Sequence, residues 1–298
     1  MFKNLFVYRL PAGWSIDLPE LEALLQSHRF VDCAPTQEKS AGWVPPRGQA
    51  EGALVESVQG QWLLKMRIET RSLPASVVQR RVRERAEALA ASTGRQPGRR
   101  ELRDLKESVR HELLPQAFTK LADVLVWIDR DDRWLVVDAA SQARGDEVTT
   151  ALVQTLPGFA PRPIDTRVTP ATAMAGWLRD SEAAAGFGLE RECELKAVDA
   201  SGAVVRYARH ALDTEDVRRH IDSGKLPTRL GLAWSGRVSF VLTESLQLKK
   251  LAFLEGVMEG ADADAQDNFD TDLAISTGEL RQLLPDLVAA LGGETDPN

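Results

Sequence analysis

The chain holds few residues whose type and spacing could carry out catalysis or bind a metal ion. His111 begins the run HELLP, which starts like a zinc-protease helix, but Pro115 stands where the second histidine ligand is needed. The acidic run DADAQDNFDTD, residues 262–272, has the composition of a calcium-binding loop. Counted from its first residue, however, Asp267 replaces the turn glycine and Leu273 replaces the bidentate glutamate. These departures argue against a zinc or a calcium site.

Motifs for nucleotide binding and nucleophilic catalysis are also missing from the sequence. It contains no G-x-x-x-x-G-K-[ST], no complete G-x-G-x-x-G and no G-x-S-x-G. Cys33 and Cys193 are far apart and neither belongs to a C-x-x-C pair. The sequence therefore predicts no catalytic residue, no metal site and no cofactor.

Positive charge is the chemical feature that stands out, above all in residues 79–110. This stretch holds ten Arg or Lys against five Asp or Glu, although the whole chain has a net charge of −7. The residues Arg99, Arg103, Lys106 and Arg110, spaced by four, three and four, fall on one face of a predicted helix. Such a face could follow a phosphate backbone. An ordinary solvated helix surface, with nearby glutamates as partners, explains the same pattern.

A second group of basic residues lies on predicted strands in the second half of the chain. Its members are Arg206, Arg209, Lys225, Arg229, Arg237, Lys249 and Lys250. Alternate residues of a strand share a face, so Lys249 and Lys250 are expected on opposite faces unless a bulge intervenes. Taken singly, each of these residues is better explained as an ordinary exposed surface charge.

The elements that must position these side chains mix helices with antiparallel strands. Two amphipathic helices joined by a Gly/Pro loop predict a helical hairpin over residues 74–114, and hairpin-connected strands fill most of the remainder. The run GWVPPRG is expected to be a fixed turn, and Ser276 with Glu279 to form the capping box of a last helix. We predict an α+β fold with mainly antiparallel sheets, packed helices and a protruding hairpin, in two regions, 1–165 and 166–298.

Composition fits a globular protein with an uneven charge distribution. Of the 298 residues 43% are apolar, and no apolar run approaches the ~18 residues that cross a bilayer. The N-terminal run reads as a first strand with no signal-peptide cleavage pattern, which predicts a cytoplasmic protein. Residues 255–298 hold eleven acidic residues and one arginine, so the preceding body is mildly basic. This asymmetry is compatible with a polyanionic partner.

Eleven short motifs, in order and spacing over residues 2–293, resemble the recombination-associated RdgC family of bacteria. They are GWVPPRG, LPASVV, ELLPQAF, VWID, VVDAAS, WLRDSEAAAGF, ECELK, HIDSGK, LGLAW with RVSFVL, LKKLAF, and D-x-D-x-x-x-x-TGEL. No single motif is diagnostic, but their register makes coincidence a poor explanation.

The resemblance implies a nucleoid-associated DNA-binding protein without enzymatic activity. It implies a ring-shaped homodimer whose positively charged hole surrounds duplex DNA with little sequence preference and restrains RecA-mediated recombination. Double-stranded DNA, a second copy of the chain and functional antagonism of the RecA recombinase are the expected partners. Binding to single-stranded DNA stays open, and no membrane is expected.

Residue by residue, the resemblance carries a DNA-binding role to a defined set of positions. They are Arg206, Arg209, His210, Lys225, Arg229, Arg237, Lys249 and Lys250, with Lys106 in the hairpin. Phe118, the aromatic residue of the L-L-P-x-A-F motif, is expected at the dimer interface. Arg110 stands where an apolar residue is expected, so Lys106 is the better DNA contact of the two.

Two other function classes remain as alternatives. The first is a protein-interaction module that acts on a recombination partner through the acidic segment 255–272. The second is a metal-dependent nuclease that uses Asp262, Asp264, Asp267 and their neighbours.

Overall fold

The computed structural model describes residues 1–254, 256–257 and 265–295, and it confirms the α+β prediction. The strands are β1 Leu5–Arg9, β2 Lys39–Val44, β3 Val55–Val58, β4 Gln61–Ser72, β5 Phe118–Asp129, β6 Trp134–Asp138, β7 Arg162–Pro163, β8 Phe187–Ala197, β9 Val204–Ala208, β10 Lys225–Trp234, β11 Val238–Thr243 and β12 Leu248–Phe253. The helices are α1 Leu18–Gln26, α2 Ala75–Thr93, α3 Arg99–Leu113, α4 Gln142–Thr155, α5 Pro170–Asp180, α6 Glu215–Asp222 and α7 Ala265–Ala290.

The strands form one sheet where the sequence predicted several. Its order is β2-β4-β5-β6-β1-β12-β11-β10-β8-β9, with β3 paired to β4 and β7 to β1. Every pairing between these strands is antiparallel. Leu5 of β1 pairs with Leu248 of β12, which joins the strands of the first half to those of the second. The sheet therefore crosses the expected 165/166 boundary, and the division into two regions stays a prediction.

Helices cover the two faces of the sheet unequally. On one side, α1 and α4 pack on strands of the first half through residues such as Leu21 and Leu152. On the other side, α5, α6 and α7 pack under β8, β10, β11 and β12 through residues such as Met174, Val217 and Leu280. No helix among the described residues is long and apolar enough to cross a membrane.

The predicted hairpin is present and packs mainly on itself. Helices α2 and α3 cover 75–113, within one residue of the expected limits at each end. Val78 and Val109 are the only buried side chains of the described α2 and α3 helices. The α2 helix ends at Gly94, whose φ of 70° is a left-handed cap that glycine adopts without strain.

Two local predictions are wrong. Within GWVPPRG, Gly42 to Val44 belong to strand β2, and only the prolines that follow make a turn. Glycine is needed at 42 because a Cβ there would lie 2.5 Å from the Cα of Phe30, on the segment that covers this sheet edge. Helix α7 begins at Ala265, so Ser276 is not its cap but a fully buried residue in its interior.

Candidate nucleic-acid interface

Side-chain alternation gives the second half of the sheet one covered face and one uncovered face. Cys193, Leu195, Leu230, Leu242 and Leu248 belong to the apolar cluster that contains α5, α6 and α7. Residues at alternating positions point to the opposite side, where no described helix packs over β8, β9 and β10. We call this surface the charged face and define it by Glu190, Glu192, Glu194, Arg206, Arg229, Lys249 and Lys250.

A bulge in β12 brings Lys249 and Lys250 to the same face. Lys249 pairs with Val241, whereas Lys250 has no partner in the ladder and adopts a left-handed φ of 53°. The ammonium of Lys249 lies 4.4 Å from the ring centre of Phe6, and that of Lys250 lies 2.6 and 2.8 Å from the carboxylate oxygens of Glu192. The extra residue interrupts the in–out alternation of side chains along β12, so both lysines lie on the same face of the sheet.

Arg206 and Arg229 reach the charged face from β9 and β10. Arg206 pairs with Glu194 across the ladder and donates from Nε to its carboxylate at 2.5 Å. A hydrogen bond from Thr228 at 2.8 Å, then Arg206 and Arg229, hold the pKa of Glu194 below its usual value, so this carboxylate is ionised at neutral pH. Within the described residues Arg229 forms no ion pair, which leaves its guanidinium open to an external anion.

The pKa of Lys249 depends on its partial burial and on the nearby charge of Arg229. Burial, followed by repulsion from Arg229, lowers the pKa of the Lys249 ammonium from its usual 10.5, while Asp138 opposes the shift. A phosphate placed between Lys249 and Arg229 would relieve that repulsion. The pair is therefore suited to an anionic ligand.

Arg209 borders the same surface. It has a left-handed φ of 56° and, with Glu190, Glu192 and Lys250, lines an open concavity of about 560 Å³. Gly231 forms part of the floor, and a Cβ there would come within 3.0 Å of the Cβ of Glu190. Five of the predicted basic residues thus lie on or beside the charged face together with three glutamates. The basic residues are Arg206, Arg209, Arg229, Lys249 and Lys250, and the glutamates are Glu190, Glu192 and Glu194.

Three predicted residues lie away from the charged face. The ring of His210 lies 5.3 Å from that of Tyr207, and the ammonium of Lys225 lies 3.3 Å from Nδ1 of His220 on helix α6. Both therefore border the helix-covered side of the sheet. Arg237 lies in the β10–β11 turn and donates from Nε to Glu279 of α7 at 2.8 Å, an ion pair that anchors the last helix. A DNA-binding role for these residues stays a prediction.

The hairpin displays its basic residues on an exposed surface, but several already have partners. Arg95 makes two hydrogen bonds to Glu101, which with the backbone of Gly98 lower the pKa of that carboxyl to about 2. Arg103 pairs with Glu107 at 3.5 Å, and Arg110 pairs with Glu38 of the loop before β2 at 2.6 Å. Lys106 is exposed and, within the part of the chain that the structure describes, forms no ion pair.

Phe118 lies at the start of β5, beside the foot of the hairpin. Its side chain is 88% exposed, more than that of any other large apolar residue in the described chain. Burial of this ring against a partner would remove a large apolar area from water, because a buried aromatic side chain covers about 150–250 Å².

Comparison with known proteins agrees with the motif evidence. A family model described as "Putative exonuclease, RdgC" matches residues 1–294. The recombination-associated protein RdgC of Dechloromonas aromatica (strain RCB) is 46% identical over 299 residues, covering 98% of each chain. Those of Bordetella pertussis (strain Tohama I / ATCC BAA-589 / NCTC 13251) and Janthinobacterium sp. (strain Marseille) are 43% and 42% identical, covering 98% and 99% of each chain. The chain belongs to the RdgC family.

In this RdgC-family chain, sequence reasoning missed the glutamates of the charged face. Glu190, Glu192 and Glu194 alternate along β8 in the run ERECE, so the rule that placed the lysines could have found them. The predicted set holds only basic residues and one histidine, whereas the structure shows that carboxylates occupy part of the same surface.

The acidic residues of the nuclease alternative cannot be placed. Asp262, Asp264 and the side chain of Asp267 lie outside the described residues. Most of residues 255–264, the first part of the acidic segment 255–272, also lies outside them. Elsewhere in the described chain, no group of three or more His, Cys, Asp or Glu side chains is arranged to hold a metal ion.

Proposed function

We propose that this chain binds double-stranded DNA without sequence preference, through the charged face, as a ring-shaped homodimer that restrains RecA-mediated recombination. The observation that carries the proposal is the convergence of Arg206, Arg229, Lys249 and Lys250 on one uncovered sheet face. They come from strands β9, β10 and β12, which lie within the run of five consecutive strands β12-β11-β10-β8-β9 of the sheet.

The dimensions of the charged face suit a phosphate backbone. Five adjacent strands, β12 to β9, at a spacing of about 4.8 Å span roughly 19 Å. Phosphates recur every ~3.4 Å along one DNA strand, so several fit across this width. Arginine and lysine supply phosphate contacts, which position a duplex without reading its sequence.

The ring and the link to recombination rest on other observations. Phe118 supplies an exposed apolar contact for a second copy of the chain. The relatives carry the name recombination-associated protein, which supports a role on DNA during recombination and association with the nucleoid. A duplex held inside a closed ring is shielded from the recombinase, which explains how binding alone would restrain strand exchange.

The test of DNA binding is fluorescence anisotropy with a labelled duplex of random sequence, from about 50 to 200 mM salt. We expect affinity to fall with salt at a log–log slope near −0.9 for each phosphate neutralised, and to change little when the sequence is scrambled. Absence of binding at the lowest salt would overturn the proposal.

The dimer is tested separately with Phe118→Ala. Because the side chain is almost fully exposed, we expect folding stability to change by less than about 0.5 kcal/mol, while the dimer dissociates. Mass from light scattering at graded concentrations measures this. Val153→Ala, which truncates an exposed side chain on α4, is the matched control. A dimer that persists in Phe118→Ala would remove Phe118 from the interface.

The description of the family model makes a nuclease the second candidate. Incubation of linear and plasmid duplex with Mg²⁺, followed by electrophoresis, decides between the two. Loss of substrate that disappears in Asp262→Asn or Asp264→Asn would favour the nuclease, and intact DNA that remains bound would favour the proposal made here.

A further inference from the structure

We propose that Glu192 and Glu194 are internal competitors of the DNA phosphates, holding two cations of the charged face in ion pairs that weaken its grip on DNA. The inference rests on the proposed function, because it concerns the same surface. It adds that binding is limited by the protein's own carboxylates as well as driven by its basic residues.

The geometry places each carboxylate where a phosphate oxygen would bind. Glu192 accepts hydrogen bonds from Lys250 through both oxygens, at 2.6 and 2.8 Å. Glu194 accepts from Arg206 at 2.5 Å with one oxygen and from Thr228 at 2.8 Å with the other. Carboxylates and phosphates are both oxyanion acceptors for these donors, so one must be displaced, or share the donor, when the other binds.

The basic partner of each pair can reach an external anion. The side chains of Lys250 and Arg206 are 65% and 73% exposed, whereas those of Glu192 and Glu194 are 39% and 15% exposed. Exposed ion pairs contribute little to folding, since water and salt screen them and the long side chains lose freedom. A duplex that offers many phosphates at once can therefore exchange them.

The cations of the charged face are thus of two kinds: those without a carboxylate partner, called ready, and those in an ion pair, called held. In the described structure Arg229 and Lys249 have no carboxylate within ion-pair distance, whereas Arg206 and Lys250 do. Removing the two negative charges should release the held pair for phosphate contacts and remove the repulsion between Glu192 or Glu194 and the duplex. Both effects strengthen binding.

A purely structural role for the ion pairs gives a different expectation. Glu192→Gln and Glu194→Gln keep one oxygen that can accept from Lys250 or Arg206, and the new amide NH2 at position 194 can donate to the Thr228 hydroxyl, so hydrogen bonds across these strands are retained. If the pairs only stabilise β8 against its neighbours, these variants lower Tm and leave DNA affinity unchanged. If they compete with phosphate, affinity rises while Tm changes little.

The experiment compares the wild-type chain, each single variant, and Glu192→Gln/Glu194→Gln. The control is Glu215→Gln/Asp222→Asn, which gives the same change in net charge on helix α6, on the helix-covered side of the sheet. Duplex anisotropy across salt is measured with all five proteins. We expect roughly threefold tighter binding for each single glutamate variant and about tenfold for the double, with a steeper salt slope, and an unchanged affinity for the control.

Elution from heparin, a polyanion other than DNA, separates this inference from the proposed function. If the wild type binds duplex and the glutamate variants bind no tighter than the control, the competitor role is wrong and DNA binding stands. If no protein binds duplex but Glu192→Gln/Glu194→Gln elutes from heparin at higher salt than the control, DNA binding is wrong and the two glutamates compete with the anionic groups of another polyanion instead. If neither polyanion is held more tightly by the double variant, the inference is overturned.

Discussion

The hairpin and the charged face both carry a surplus of positive charge, but they acquire it in different ways. In the hairpin the surplus is visible along the sequence, since ten basic residues fall within 79–110. On the charged face the surplus arises only when the chain folds, because Arg206, Arg229 and Lys249 come from three strands. A local excess in sequence and an assembled excess in the fold are therefore different properties.

The reason lies in how each element distributes its side chains. A helix exposes charge around its circumference and satisfies much of it three or four residues away, as Arg81 with Glu84 and Arg103 with Glu107 show. A sheet sends alternate residues of every strand to one plane. Basic residues on that plane accumulate across strands, and a single bulge at Lys250 adds one more.

The two regions also differ in burial, and truncating one buried side chain in each should expose this. Leu230 of β10 is fully buried in the large apolar cluster, whereas Val109 is buried between two exposed helices. We expect Leu230→Ala to lower the free energy of unfolding by about 2–5 kcal/mol, measured by urea denaturation. Val109→Ala removes less volume and should cost about 1–2 kcal/mol, felt as local opening of the hairpin.

Hydrogen exchange distinguishes local from global opening. Faster exchange of hairpin amides alone in Val109→Ala is the expected result. Equal acceleration throughout the sheet would show that the hairpin and the sheet unfold as one unit.

Most elements could be predicted from the sequence because hydrophobic periodicity and turn residues are local. The limits of the hairpin are an example. The start of α7 could not be predicted in this way. Ser276 and Glu279 fit the capping pattern of a helix start, but in the structure Glu279 forms an ion pair with Arg237, 42 residues away in sequence. The presence of Lys249 and Lys250 on the same face depends on a bulge that the sequence does not reveal. Lys250 adopts a left-handed φ that favours glycine, so a lysine there gives no sign of it.

Charge reversal sharpens the comparison between the two basic regions. Arg229→Glu/Lys249→Glu converts the two ready cations of the charged face, and we expect duplex affinity to fall by about 100-fold with a shallower salt slope. Arg99→Glu/Lys106→Glu makes the same change in net charge on the hairpin, where we expect a loss of roughly fivefold or less. Anisotropy at one fixed salt concentration measures both. A larger loss for the hairpin variant would make the hairpin the principal DNA surface.

Lys249 allows the smallest and most specific test of the charged face. Its pKa is lowered from 10.5 by burial and then by Arg229, and a bound phosphate favours the protonated ammonium. DNA binding should therefore take up protons in the alkaline range, so affinity should fall about two- to threefold between roughly pH 8 and pH 10. Lys249→Arg keeps the charge without titrating there, and its affinity should change less over the same interval. Hairpin residue Lys106 is exposed, and Lys106→Arg should leave the wild-type pH dependence intact. A pH dependence that persists in Lys249→Arg but is lost in Lys106→Arg would assign the titrating contact to the hairpin instead.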